Sequence, residues 1–370
     1  MSATETTSPA AGGPAPTRAA AGAAKAIVSL QVMRAVAAIL VVFFHHMNTM
    51  RDGPAPDMPM FEIGKFGVDL FFIISGFIMW TTVSDRTTPA QFLKRRIVRI
   101  VPLYWAMTLA TAFIVTKGGV GIDLNADYVR LLKSLLFIPQ WHADYPTLVA
   151  PTMIVGWTLE LEMLFYALFA AALVLAKPQR LIAVSAALAV LAAYGLIADP
   201  QTAILKGFTN NIVLEFAMGM GLGRLYELGK APSSARAGAA LLAAGVALAC
   251  VHRALPDARF IYFGVPALLI MAGALAFESR ISGKAWAVPK FLGDASYSIY
   301  LVHMMAMAVS TKILPFSFAS AFPLPALLFE VAFAVAAGAV VYVLVERPLT
   351  DIARRLIAPK ARPAEIVKGL

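Results

Sequence analysis

The sequence has little charge for its length and a single cysteine. Charged residues make up 14% of the 370 residues, whereas a soluble domain carries about 25%. Disordered chains and coiled coils are rich in charged residues, so this composition excludes both classes. Cys250 has no second cysteine to pair with, which excludes a secreted scaffold held by disulfides.

Apolar residues dominate what remains. They account for 60% of the chain, and the mean hydropathy is +0.76. This is more apolar surface than one globular core can bury, so the chain is expected to be an integral membrane protein of the all-α class. A membrane span needs about 20 apolar residues. About ten candidate segments satisfy this, namely 27–47, 66–83, 100–116, 152–176, 180–198, 207–227, 237–254, 261–278, 291–312 and 324–345. Residues 128–140 are too short to span and are expected at the interface.

The spans divide the chain into three parts. Residues 1–24 are small and polar and are expected to form a disordered tail. Residues 25–350 form a transmembrane domain, with no soluble domain expected after it. Residues 351–370 form a short basic tail that we expect in the cytoplasm.

Lys and Arg residues indicate the orientation. With the N-terminus inside, 21 of the 31 fall on inner segments and nine on outer segments. This bias predicts that both termini are cytoplasmic and that the number of spans is even. The net charge of +10 is then mainly a topology signal, and a nucleic-acid partner is not needed to explain it.

Nine ionisable residues fall inside the predicted spans. An ionisable side chain at bilayer depth costs at least a few kcal/mol, so each is a functional candidate by default. The alternative is that some of them only join helices. The set is Arg34, His45, His46, Asp69, Glu160, Glu162, Glu215, His303 and Glu330.

Arg34 and His45 share one face of the first span. Eleven steps along a helix bring the two side chains back to the same side, about 16 Å apart. This separation suits a long anionic donor whose reactive end reaches His45, a typical general base. A polar seam that packs the bundle is the alternative. His46 points about 100° away and is expected at a helix interface.

Two further patterns have a structural and a functional interpretation. Asp69, at the start of the second span, either orients His45 or is an acid favoured by the helix dipole. Arg96 and Arg99, three residues apart, either bind phosphate or anchor the helix on the inner side.

The remaining candidates lie in later spans. Glu160 and Glu162 are about 200° apart on a helix, and we favour Glu162 for the polar interior because Tyr166 follows it at i+4. Ser296, Tyr300 and His303 fall near one face, where His303 is either a second base or a donor between helices. Glu215 and Glu330 are predicted to be buried.

Six segments in this order resemble the acyltransferase 3 family of bacterial integral-membrane acyltransferases, and in particular its members that O-acetylate exopolysaccharide. The segments are LQVMRAVAAILVVFFHH, GKFGVDLFFIISGFIM, FLKRRIVRIVPLYW, GWTLELEMLFY, LGDASYSIYLVH and Glu346-Arg347-Pro348.

The resemblance implies a bundle of about ten helices in the bacterial inner membrane. It implies an acyl-CoA donor, usually acetyl-CoA, taken from the cytoplasm, and no metal. The acceptor is a sugar hydroxyl of a lipid-linked or exported glycan. Membrane lipids surround the bundle.

The resulting hypothesis is O-acyl transfer. His45, Asp69 and Glu162 form the catalytic set, and Arg34, Arg96 and Arg99 hold the donor. Trp157, Tyr300 and His303 are expected to contact the acceptor. The rival interpretations are a proton-coupled transporter of a glycan or small molecule, because buried acids and histidines also make proton relays, and a membrane scaffold without activity.

Overall fold

The computed structural model describes residues 27–59, 62–117, 124–251 and 259–357. Within these ranges the chain is helical apart from its connections, and the β-structure is one isolated bridge between Trp141 and Val149. The predicted all-α class is therefore confirmed. The predicted tail at 1–24 lies outside the described residues.

Fifteen α-helices occur in the described ranges. They are α1 (Val28–Asp52), α2 (Phe66–Thr82), α3 (Pro89–Lys117), α4 (Leu124–Leu135), α5 (Trp157–Ala172), α6 (Lys177–Ala198), α7 (Ala203–Phe208), α8 (Leu214–Glu227), α9 (Ala235–Cys250), α10 (Val265–Leu275), α11 (Ala287–Asp294), α12 (Ser296–Ile313), α13 (Phe316–Ala321), α14 (Pro323–Val341) and α15 (Arg347–Ile357). A π-helical turn, Tyr342–Glu346, joins α14 to α15 without a break.

Six helical segments are long and apolar enough to cross a membrane. They are Val28–Asp52, Glu62–Thr82, Pro89–Ile114, Ile154–Ala172, Lys177–Ala198 and Pro323–Leu356. Each overlaps one of the ten predicted spans, so the chain is a multi-pass membrane protein. The count of ten and the cytoplasmic termini stay predictions.

The other four predicted spans are shorter or interrupted. The 207–227 segment divides at Asn210, whose side chain accepts a hydrogen bond from the Ile212 amide and begins a new turn. The 291–312 segment divides at Ala295, between α11 and α12. Polar residues that compete for backbone hydrogen bonds explain the first break. Residues 235–250 and 260–275 form shorter apolar helices.

The predicted basic tail begins as a helix. Its first residues complete α15, on which Ile352 and Leu356 are exposed beside Arg354 and Arg355. Residues 358–370 lie outside the described ranges. The 128–140 segment is helical up to Leu135 and then continues as a loop. At 12 residues, α4 is too short to span a bilayer, as predicted.

Helix α2 lies at the centre of the bundle, and glycines allow α8 to approach it closely. A Cβ atom at Gly219 would lie 2.1 Å from the Ile73 carbonyl oxygen, and one at Gly76 would lie 2.1 Å from that of Phe216. The two backbones are therefore in direct contact, the arrangement that small residues permit between membrane helices.

We expect Gly219→Ala to destabilise the protein by about 1–3 kcal/mol, because the added methyl group meets rigid backbone rather than a movable side chain. Thermal unfolding of the detergent-solubilised protein measures the effect. Gly221→Ala is the matched control on the same helix, since a Cβ there meets nothing within 4 Å. Equal unfolding temperatures for the two variants would show that the α2–α8 contact is not a stabilising one.

Candidate active site

Five helices enclose a cavity of about 150 Å³. Arg34 from α1 and Arg96 and Arg99 from α3 line it, together with Glu162 from α5 and Tyr300 from α12. Residues of α2, including Phe71, Phe72 and Ser75, complete the wall. Five of the nine predicted site residues thus surround one space.

The three arginines approach this cavity in different ways. Arg34 donates to the Gln31 side chain over 3.2 Å. Arg99 pairs with Glu346 at 2.5 Å. The Arg96 guanidinium lies over the rings of Phe92 and Tyr166, 5.8 and 5.9 Å from their centroids.

Positive charge dominates the cavity wall. Three arginines and one glutamate line it, which gives a formal charge of +2. In the described part of the chain Arg34 and Arg96 have no carboxylate ion-pair partner, and the buried Nε of Arg96 has no hydrogen-bond acceptor. Unpaired guanidinium groups at a concave site favour an anionic ligand such as phosphate.

The acid of the cavity is held by hydroxyl groups. Ser75 donates to Glu162 Oε1 over 2.9 Å, and the Tyr166 hydroxyl donates to the same oxygen. The predicted i+4 relation between Glu162 and Tyr166 is therefore present. Glu160 is buried away from the cavity wall, as the choice between the two acids predicted.

Tyr300 forms the boundary between the cavity and a second polar group. Its hydroxyl donates to the Val155 carbonyl oxygen at 2.9 Å and lies 3.0 Å from Thr158 Oγ1. Its ring centroid is 5.9 Å from that of His303, which is one turn further along α12. The aromatic ring thus separates the arginine-lined space from the histidines behind it.

His45 and His303 form a pair. His303 Nε2 lies 3.2 Å from His45 Nδ1, and the ring centroids are 4.9 Å apart. His303 is completely buried, whereas His45 is partly exposed. The sequence predicted either a second base or a hydrogen-bond donor between helices at His303. In the structure His303 contacts His45.

The chain is similar to known proteins along most of its length. The sequence profile of a family described as an acyltransferase domain matches residues 27–346. The chain belongs to the acyltransferase 3 family. It is therefore a multi-pass membrane acyltransferase, and neither a transporter nor a scaffold without activity is needed to explain its buried ionisable residues.

Two curated relatives cover most of this acyltransferase. The exopolysaccharide production protein ExoZ of Rhizobium meliloti (strain 1021) is 39% identical over 321 residues, which are 82% of this chain and 96% of ExoZ. BcsY of Komagataeibacter xylinus, named as a membrane-bound transacylase, is 28% identical over 358 residues, 90% of this chain and 86% of BcsY. No solved structure matches the acyltransferase.

The predicted role of Asp69 needs correction. Both of its carboxylate oxygens bind Arg259, at 2.8 and 3.1 Å, and the carboxylate is completely buried. The Nδ1 atom of His45 instead faces the Val41 carbonyl oxygen and His303. A buried acid needs a countercharge, and Arg259, from a segment 190 residues away, supplies it.

We therefore expect Asp69→Asn to destabilise the acyltransferase by about 3 kcal/mol, because Arg259 loses its countercharge. The folded fraction should keep its turnover number. Asp144→Asn, at a carboxylate that is 64% exposed, is the matched control and should leave the unfolding temperature unchanged. A lower turnover number at unchanged stability would restore Asp69 to the catalytic set.

The other predicted residues lie outside the cavity wall. Trp157 packs edge to face on Phe72, with centroids 6.4 Å apart, so one ring separates it from the cavity. His46 is buried at a helix interface, as predicted, and its Nδ1 lies 3.1 Å from Glu330. Glu215 is buried, also as predicted.

Two partner residues were not found from the sequence. Glu346 pairs with Arg99 and also accepts a hydrogen bond from Ser298 at 2.6 Å. Arg259 had been counted only as an outer-segment charge. The one available signal was the Glu346-Arg347-Pro348 motif, which marks the position of Glu346 but does not name its partner.

Proposed function

We propose that the protein transfers an acyl group, normally acetyl, from acyl-CoA to a sugar hydroxyl of an exported bacterial polysaccharide. The donor enters from the cytoplasmic side of the inner membrane. The acceptor is carried on a lipid or on a growing chain.

One observation carries this proposal: three arginines from two helices converge on a cavity whose far wall, Tyr300, backs onto the His45–His303 pair. Coenzyme A bears phosphates at one end and the reactive thioester at the other. Arg34, Arg96 and Arg99 suit the phosphate end, because guanidinium groups donate paired hydrogen bonds to phosphate oxygens.

The cavity is small compared with the whole donor, since an engineered protein cavity of comparable volume binds benzene. We therefore assign the arginine-lined space to a phosphate of the donor. The thioester has to reach the His45–His303 pair on the other side of Tyr300.

The proposed reaction needs a base, His45, and the thioester of the donor. His45 takes the proton of the sugar hydroxyl as its oxygen attacks the thioester carbonyl carbon. The carbon–sulfur bond then breaks, and the thiolate leaves as coenzyme A after receiving that proton. The products are an ester and a free thiol. A transient acyl-histidine, formed by attack of His45 on the donor, gives the same products in two steps.

The acceptor class comes from the relatives. ExoZ is named for exopolysaccharide production, and its match spans most of both chains. An exported polysaccharide is consequently the acceptor that we propose, with lipopolysaccharide O-antigen the next glycan to examine.

The decisive experiment measures ester-linked acetyl groups on surface and secreted polysaccharide. A deletion strain is complemented with the wild-type gene or with His45→Ala. We expect acetyl groups to be restored by the wild type alone. Unchanged acetylation in the deletion strain would reject this donor and acceptor pair, and other acyl groups and glycans would then be assayed.

A purified preparation separates direct transfer from an acyl-enzyme. The protein is incubated with acetyl-CoA labelled in the acetyl group and no acceptor, then denatured. Label retained on wild type but absent from His45→Ala supports the acyl-histidine. Absence of label from a preparation that is active with acceptor supports direct transfer.

A further inference from the structure

We propose that His303 is a positioning residue that, together with the Val41 carbonyl oxygen, holds the ring and the tautomer of His45, so that the reacting nitrogen of His45 is Nε2. This inference rests on the proposed acyl transfer and assigns the orienting role, first predicted for Asp69, to a neutral imidazole.

The first step concerns the proton on His303. Its Nδ1 lies 2.6 Å from the backbone carbonyl oxygen of Tyr300. A carbonyl oxygen can only accept a hydrogen bond, so Nδ1 must carry the proton. In a neutral imidazole the other nitrogen then has a free lone pair, which means that Nε2 of His303 is an acceptor.

The second step transfers this constraint to His45. Its Nδ1 lies 3.2 Å from the acceptor nitrogen of His303 and 2.9 Å from the Val41 carbonyl oxygen. Both neighbours can only accept, so His45 Nδ1 must be the donor. If His45 Nδ1 carried no proton, its lone pair would face the lone pairs of the Val41 oxygen and of His303 Nε2. That arrangement is unfavourable in a buried site.

The third step gives the chemistry. Since Nδ1 of His45 carries the proton, the lone pair of the neutral ring lies on Nε2. This is the nitrogen that can accept the hydroxyl proton or attack the thioester. The orienting group of a triad usually is a carboxylate. A neutral acceptor fixes the ring without adding a negative charge to the buried site.

The arrangement also explains why His303 lies on α12. One turn of that helix supplies the Tyr300 carbonyl oxygen that sets the tautomer and, through the Tyr300 ring, a wall of the cavity. Position and tautomer of His303 are thus set by the same three-residue spacing.

Two substitutions separate positioning from packing. In His303→Gln the amide oxygen can take the place of Nε2 as an acceptor, whereas His303→Leu fills the volume without one. We expect His303→Leu to lower kcat by about 100-fold, the scale of a misplaced catalytic group, with the KM for acetyl-CoA nearly unchanged. His303→Gln should recover most of that loss. Equal kcat values for the two variants at equal stability would overturn the proposal.

The tautomer itself is measured without substrate. Imidazole nitrogens of protein labelled with ¹⁵N-histidine give distinct NMR signals when protonated and when bare. The chain has five histidines, and loss of one signal pair in His45→Gln assigns His45. Above the ordinary imidazole pKa we expect a protonated Nδ1 in the wild type. In His303→Leu we expect a larger share of the other tautomer, although the Val41 carbonyl oxygen still favours a proton on Nδ1. A protonated Nε2 on wild-type His45 would refute the assignment.

These results distinguish the two proposals. If His45 shows a protonated Nδ1 but the wild type consumes no acyl-CoA with any glycan, the acyl transfer fails and the tautomer assignment stands. If the wild type is active and Nε2 is protonated, the reverse holds.

Discussion

His45→Ala is expected to lower the rate of acyl transfer by about 10²- to 10⁴-fold, the usual contribution of a general base. The loss should be about 10⁴-fold if His45 also carries the acyl group. In the described part of the chain no other side chain pairs with His303 at that position, so none can take over from His45. Turnover is measured as coenzyme A release in the presence of acceptor, with unfolding temperatures taken on the same preparations.

The matched control for this substitution is His142→Ala. His142 lies in the loop between α4 and α5, where its Nδ1 accepts a hydrogen bond from the Asp144 amide. It does not line the cavity. Its replacement should leave turnover nearly unchanged. If His45→Ala retained full activity at normal stability, the mechanism proposed here would be wrong.

Arg96→Gln is expected to raise the KM for acyl-CoA by about 10- to 100-fold, because a hydrogen bond to a charged group contributes about 1.5–3 kcal/mol. Arg96 is the most informative of the three arginines, since its Nε is buried and has no acceptor in the described structure. Steady-state kinetics with varied acyl-CoA measures the effect. The turnover number at saturating donor should fall much less, because the substitution removes binding and leaves the histidine pair intact.

Arg95→Gln is the control for Arg96→Gln. The two residues are adjacent on α3, but the Arg95 side chain is exposed and does not line the cavity. The same charge is therefore removed from the same helix without touching the site. Equal KM values for the two variants would show that positive charge at this end of the protein acts only at long range. Arg99→Gln is less suitable, because it leaves the buried Glu346 without its partner.

The local features of the bundle could be predicted from the sequence. Helix period alone relates Arg96 to Arg99 and Glu162 to Tyr166, and both relations are present. Apolar runs of about 20 residues likewise located the six long membrane helices. Such predictions succeed because they depend on spacing within one helix.

Contacts between distant helices could not be predicted in this way. The Asp69–Arg259, Arg99–Glu346 and His45–His303 contacts join residues 190, 247 and 258 positions apart. Each depends on how the helices are arranged in the bundle, which the spacing within a helix does not determine. Asp69 was assigned to His45 on predicted depth alone, and depth does not determine which face of a helix a neighbour meets.

The Arg99–Glu346 pair has a consequence for biosynthesis. Membrane helices enter the bilayer in chain order, and Glu346 lies in the π-turn at the end of the last long helix. Until that helix is inserted, Arg99 faces the cavity without its counterion, and α12, which supplies Tyr300 and His303, has no α14 to pack against. The Arg99 side of the cavity is therefore completed only after every helix that lines the cavity is already in place, because the pairing carboxylate is on the helical segment that follows them all.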